Sequence, residues 1–279
     1  MRLVHFIVLA ALLQGCAPSS TPASTPNTAA AAPATSRVFI EDLTWTELRD
    51  AIRDGKTTII IPVGGVEQSG PYVALGKHDA RVRYLSGRIA TNLGNALVAP
   101  VIAYVPEGTI DPPTEHMRFP GTITVPSDVF RQTLESAAMS FRLHGFKDVV
   151  LIGDHGGYQS DLKAVADDLN RKWAGSPARA HFIAQYYGST QTTYVEGLKR
   201  KGFSQAEIGT HAGLADTALT LAIAPSMVRS GDLGKTPPPG PDAGVHGDPR
   251  HATAALGEPG VETIITATTS AIRAAVKSP

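Results

Sequence analysis

The sequence predicts an α/β protein, a three-layer α/β/α sandwich built on a mainly parallel sheet. Three observations point to it. Residues 57–63 (TTIIIPV) and 147–152 (KDVVLI) are continuous β-branched and aliphatic runs without the alternation of a half-exposed strand, as expected of strands covered on both faces. Between and around them, apolar residues recur at helical spacing, for example Phe130, Leu134, Ala137, Ala138 and Phe141. Finally, 42% of the 279 residues are hydrophobic and only 18% charged, enough to bury the core of such a domain.

The elements follow in order. Thr44 and Glu47 stand at capping-box spacing and open a short helix that runs to about Arg53. The strand at 57–63 ends in Gly64-Gly65, and a loop with glycine and proline leads to a helix over 79–93. A second apolar strand is expected over 96–105, interrupted by Pro100, and then a helix over 128–144 closed by Gly145. After the strand at 147–152, Leu162, Val165, Ala166, Leu169 and Trp173 mark another helix. Residues 178–187 alternate like a strand, and helices are expected at 190–201 and 213–223. A Pro/Gly-rich loop fills 235–249, and a final helix is expected over about 260–276.

The N-terminus reads as an address. Residues 1–16 (MRLVHFIVLAALLQGC) place Arg2 before an apolar run and small residues, the layout of a secretory signal. Leu13-Gln14-Gly15-Cys16 resembles a bacterial lipoprotein cleavage box, so 1–15 is expected to be removed and Cys16 lipidated. Residues 16–37 are rich in Pro, Ser, Thr and Ala and read as a disordered tether. The expected product is a single catalytic domain, 38–279, exported and anchored by lipid on the periplasmic side of the bacterial envelope. Membrane contact is expected through that anchor alone.

Charge and cysteine count narrow the chemistry. Twenty-five Lys and Arg balance twenty-five Asp and Glu, which excludes a protein that works by neutralising nucleic-acid phosphates. One cysteine excludes an intramolecular disulfide and any Cys-based zinc or iron-sulfur centre. A metal site must then use histidines and carboxylates.

Ligand-type residues cluster where the buried strands end, the place where open parallel sheets bind ligands. The first strand runs into Gly64-Gly65-Val66-Glu67-Gln68-Ser69, followed by Lys77-His78-Asp79, and the strand at 147–152 runs into Gly153-Asp154-His155-Gly156-Gly157. Later come His211-Ala212-Gly213 and Asp216-Thr217. Taken singly, Glu67 suits a solvated loop, His155 a helix cap and Asp216 a first-turn acid. Together, flanked by glycines that let backbone approach closely, they suit an active site. His144, His181, His246 and His251 lack such a setting.

These segments carry a resemblance. Glu67-Gln68-Ser69-Gly70-Pro71, the stretch from Glu115-His116 through Phe119-Pro120-Gly121-Thr122, His144-Gly145-Phe146, Asp154-His155-Gly156-Gly157 and His211-Ala212-Gly213 with Asp216-Thr217 resemble, in order, the motifs of the creatininase (creatinine amidohydrolase) family. The family patterns are E-Q-H-G, E-H-x-x-F-P-G-T, H-G-F, N-G-H-G-G-N and H-A-G-x-x-E-T. The resemblance implies a metal-dependent hydrolase of amide C–N bonds, often cyclic, and a homo-oligomer, by family habit a hexamer. It implies Glu67 and His155 as metal ligands, Asp216 in place of a ligand glutamate, and His211 beside the reacting amide. His78 falls where the family has an aspartate bridging two metals, with Asp79 next to it, and Ser69 where it has a histidine of the second metal. The expectation is one ion held by Glu67, His78, His155 and Asp216, or two ions with Asp79 as the bridge.

The expected ion is Zn²⁺, with Mn²⁺ as the alternative, and such an ion activates water and polarises a carbonyl. His211 is the expected proton donor to the leaving amine, and Glu115 and His116 are further candidates in the pocket wall or in support of the metal. Two rivals stand beside this reading. One is a non-catalytic metal- or ligand-binding lipoprotein on the same fold; the other is a serine hydrolase using Ser69 with His78 or His155, against which the missing G-x-S-x-G elbow counts.

Overall fold

In the computed structural model, residues 37–234 and 238–277 are described. The segments expected to be a signal (1–15), a lipidation site (Cys16) and a tether (up to residue 36) lie outside them.

Four strands form one parallel sheet, β1 (Thr58–Val63), β2 (Ala96–Val98), β3 (Asp148–Gly153) and β4 (Arg179–Phe182), in the order β2-β1-β3-β4. All six residues of β1 are buried, as the uninterrupted apolar run requires. Alternate side chains serve opposite faces. Ile59, Ile61, Val149 and Leu151 join one core with Phe130, Leu134, Leu162 and Trp173, while Ile60, Val150 and Ile152 join the other with Leu85, Ile89, Leu219 and Ile264. The first core is covered by α1 (Trp45–Arg53), α3 (Ser127–Leu143) and α4 (Gln159–Lys172). The second lies under α2 (Lys77–Leu93), α5 (Gln185–Gln191), α6 (Thr193–Arg200), α8 (Leu214–Ile223) and α9 (Ala254–Lys277), with the single-turn α7 (Gln205–Ile208) leading into α8. These are the three layers expected from the sequence. Among the described residues no helix is long and apolar enough to cross a membrane.

Several boundaries follow from local chemistry. The capping box at α1 is present: Glu47 N–H donates to Thr44 Oγ1 at 3.3 Å and Thr44 N–H to Glu47 Oε2 at 2.7 Å. The second strand is shorter than the expected 96–105, because Pro100 has no N–H for the ladder; the chain touches the sheet again where Ile102 N–H donates to Pro62 O. The expected strand 178–187 ends at Phe182. Buried Ile183 and Tyr186 then fall three apart on the way into α5, a helical spacing that reads as alternation over so short a stretch. The last helix begins at Ala254 rather than 260, with Pro259 inside it, close enough to the start that only one backbone bond is lost. Gly257 and Gly260 are there for close packing: a Cβ on Gly257 would sit 2.0 Å from Ala218 O of α8, and one on Gly260 would sit 2.8 Å from the Tyr194 ring.

The chain goes from β1 outward to β2, then crosses back past β1 to β3. The reversal leaves a crevice beyond the carboxyl ends of β1 and β3, where loops diverge to opposite faces.

Candidate metal centre

Glu67 lies four residues beyond the end of β1 and is completely buried. Gly65, at φ +145°, turns the chain, and a side chain there would meet Glu107 Oε1 at 2.9 Å, so only glycine lets the two carboxylates approach. Glu107 is anchored by its N–H donating to Thr124 Oγ1 at 2.9 Å and is 2% exposed. His155 follows β3 directly, and His116 sits in the 3₁₀ turn Glu115–Arg118. One ligand atom from each of Glu67, Glu107, His116 and His155 lies within 4.8 Å of all the others.

Three buried carboxylate oxygens in this cluster, Glu67 Oε2 and both of Glu107, have no hydrogen-bond partner. His116 Nε2 and His155 Nε2 are 3.2 and 3.3 Å from Glu67 Oε2 yet neither bonds to it. Orphan buried acceptors of this kind call for a cation. Burial and the adjacent Glu67 push Glu107 up to about 9, the behaviour of two acids forced together. Burial lowers His155 to about 4 against the pull of Glu67, so its imidazole is neutral and has a lone pair to give. His116 is lowered by burial as well. Two carboxylates and two neutral imidazoles are a fitting donor set for Zn²⁺ or Mn²⁺.

Beside this cluster lies an ion network. Lys77, on the first turn of α2, is buried with its Nζ 2.5 Å from Asp216 Oδ2 and 3.2 Å from Glu67 Oε1. His78 is held between two acids, Nε2 2.8 Å from Glu67 Oε1 and Nδ1 2.7 Å from Asp154 Oδ2. Arg81 pairs with Asp154 (Nη2 to Oδ2, 2.6 Å) and with Asp216 Oδ1. Burial opposes ionisation of Glu67 and Asp216, but Lys77, joined by His78 and His155 for Glu67 and by Arg81 for Asp216, holds both well below the usual carboxylate range.

The set assembled here differs from the one expected from sequence. Glu67 and His155 stand in the cluster. The ring nitrogens of His78 face protein carboxylates, Asp216 is taken by Lys77, Arg81 and the Ala212 N–H (2.9 Å), and Asp79 accepts from Gly65 N–H at 2.9 Å. The ring nitrogens of His78, both oxygens of Asp216 and one oxygen of Asp79 are thus spent on the chain itself. His116, expected in the wall or in support, offers a ligand atom, whereas Glu115 is exposed, at φ +48°. Glu107, Lys77 and Arg81 carried no assigned role in the sequence. The Ser69 hydroxyl is buried and has no hydrogen-bond partner, so no histidine activates it as a serine hydrolase requires.

His211 overlooks the cluster, its ring 4.6 Å from that of His116. Its backbone is fixed by His246, which donates N–H to His211 O at 2.9 Å. Gly70 N–H donates to Gln68 Oε1, which turns the Gln68 amide nitrogen toward His116 Nδ1 and His211 Nε2, 3.0 Å from each. Burial and Lys77 lower His211 to about 3. The four rings and acids open onto a cavity of about 190 Å³ lined by Tyr187, Thr190, Gln191 and Tyr194 on the α5–α6 side.

The sequence profile of the creatininase family, creatinine amidohydrolase, matches residues 41–272. The chain belongs to the creatininase family. It is 26% identical over 196 residues to the creatinine amidohydrolase of Pseudomonas putida, covering 68% of this chain and 74% of that protein. It is 30% identical over 216 residues to the mycofactocin precursor peptide peptidase of Mycobacterium tuberculosis, covering 72% and 78%. A crystal structure of creatinine amidohydrolase shares the fold with a TM-score of 0.73 at 22% identity, over 87% of this chain and 99% of that one. Other solved creatininases are described as a manganese form and a zinc–zinc form. As a creatininase-family protein the chain is a hydrolase of carbon–nitrogen bonds.

Proposed function

We propose that this creatininase-family chain is a metal-dependent amidohydrolase that cleaves a C–N bond of a small, open or cyclic amide. The observation that carries the reading is the convergence of Glu67, Glu107, His116 and His155, with three partnerless carboxylate oxygens, beside a cavity of about 190 Å³ that His116 and His155 line. A divalent ion held by these four, zinc or manganese, supplies Lewis acidity and a water of lowered pKa. The chain's own groups do the rest. His211 Nε2 lies 3.0 Å from both the Gln68 amide nitrogen and Gln68 O, and its Nδ1 3.5 Å from Glu67 Oε1; the neutral ring is placed to accept a proton from water and return it to the departing amine. Tyr187 and Thr190 bound the space above and restrict it to a small substrate. The N-terminal sequence supports export and lipid attachment at Cys16, and the family likeness supports a homo-oligomer.

The test is amine release from a panel of small linear and cyclic amides by the full chain loaded with zinc. Turnover is expected to stop with a chelator and return with zinc. His211→Ala is expected to keep its metal and lose about 10²–10⁴ in rate. Full turnover by His211→Ala at unchanged metal content would remove the proton-transfer role, and bound metal with no amine release from any amide would favour a ligand-binding protein instead.

A further inference from the structure

Acceptor bookkeeping separates the buried acids into two groups. Asp154 Oδ1 accepts from Tyr186 Oη at 2.9 Å, and its Oδ2 from Arg81 Nε at 2.8 Å and from His78. Asp216 Oδ1 accepts from Arg81, and its Oδ2 from Lys77 and Ala212 N–H. Glu67 Oε1 meets His78 and Lys77. Among the described residues, the buried carboxylate oxygens without a partner are Glu67 Oε2 and the two of Glu107. Every carboxylate oxygen of Asp154 and Asp216 thus has at least one donor, while the three facing His116 and His155 have none.

We propose that Lys77 is a built-in cation: its ammonium, set between Glu67 and Asp216, fills the position of a second metal ion and restricts the centre to one divalent ion per chain. The inference rests on the metal-centre reading above and adds the ion count and the residue that sets it. Lys77 is suited to this by place as much as by charge. It projects from the first turn of α2 into the gap between the loop after β1 and the first turn of α8 and reaches an acid on each, Glu67 and Asp216, whereas Arg81 joins Asp216 to Asp154 after β3. By binding Glu67 through Oε1 it also leaves Oε2 directed to the histidine side. Lys77 is therefore a positioning residue, acting on the ion through Glu67. Removing a buried lysine clamped by two acids takes a positive charge from both, leaving Asp216 to Arg81 and Glu67 to His78, and a divalent ion is the natural replacement.

The experiment is equilibrium dialysis of the purified full chain against zinc, with bound metal counted per chain. Wild type and Lys77→Arg are expected to hold one equivalent. Lys77→Ala is expected to hold two, with a melting temperature that rises more steeply with zinc than that of wild type. If Lys77→Ala does not fold in chelator, refolding in zinc should restore it, and failure of zinc to do so overturns the proposal. A folded Lys77→Ala that stays at one equivalent overturns it as well. Two equivalents on wild type with chelator-sensitive amide cleavage would overturn the role of Lys77 and leave the proposed function intact; no bound zinc at all would instead remove the metal-centre reading itself.

Discussion

The hydroxyl of Tyr158 ties His155 to the end of the neighbouring strand: it accepts from His155 N–H at 3.1 Å and donates to Gly64 O at 2.6 Å, with Val63 O at 3.0 Å. One buried phenol thus sets the spacing between the loop that carries Glu67 and the loop that carries His155. Tyr158→Phe leaves a buried carbonyl and a buried amide without their partner, so a loss of about 1–3 kcal/mol is expected in a urea melt. Zinc affinity should fall with it. Unchanged affinity at reduced stability would show that the two loops hold their distance without the phenol.

Glu107→Gln is the sharpest probe of the donor set, because sequence motifs alone would leave it out. The substitution keeps volume and removes charge. Affinity for zinc is expected to fall by more than the roughly 10–100-fold that follows loss of a group merely supporting a ligand. His116→Ala should behave alike, while Glu115→Ala, an exposed position, should bind as wild type. Calorimetric titration checks all three, and full affinity in Glu107→Gln would move the centre elsewhere.

The stability of the metal-free protein should be confined between two pH limits. Burial and Lys77 work against the charged form of His78, yet Glu67 and Asp154 prevail and raise it above 6.5. Its contribution is full below pH 6.5 and is lost as pH rises through the folded value. Asp154 and Asp216 resist burial through Arg81 and, for Asp216, first through Lys77, and both lie below 3.8. Their contribution is present above pH 3.8 and is lost as pH falls through the folded values. Glu107, raised to about 9, adds stability that is lost as pH rises above 4.5, and His155 and His211, lowered to about 4 and about 3, add stability that is lost as pH falls below 6.5. Melting temperatures in chelator should therefore decline on both sides of a maximum, and His78→Gln should lessen the alkaline decline. A melting temperature that climbs from pH 6.5 to 8 would contradict the assignment.

Gly257→Ala tests the close approach of α9 to α8. The added methyl would lie 2.0 Å from Ala218 O and 2.9 Å from Ala222 Cβ, contacts that rigid backbone cannot relieve locally. The expected cost is about 1–3 kcal/mol, outweighing any gain in helix propensity. A thermal melt no lower than wild type would mean that the two helices can part without penalty.

Much of the architecture was legible because β1 and β3 are apolar at every turn of the pleat, which only a doubly covered parallel sheet explains. The helix start at Thr44 was legible from two residues three apart. The start of α9 at Ala254 was not legible because a proline inside a helix removes one backbone bond without having to end the helix, and the sequence does not say which outcome holds at Pro259. At the site, Glu67 and His155 announce themselves through flanking glycines. Glu107 has one faint signal, a lone acid after the apolar run from Val101, followed by Gly108 at φ +119°. Lys77 had none: a lysine in the first turn of an amphipathic helix belongs by default in water, and only the arrival of Glu67 and Asp216 from distant segments makes its burial tolerable.

The clamp of Lys77 between Glu67 and Asp216 bears on where a metal ion matters to the fold. Since the acids that join α2, α8 and the loop after β1 are neutralised by covalently attached groups, that side of the scaffold needs no ion to hold its shape, and metal uptake is expected to act at the opposite rim alone.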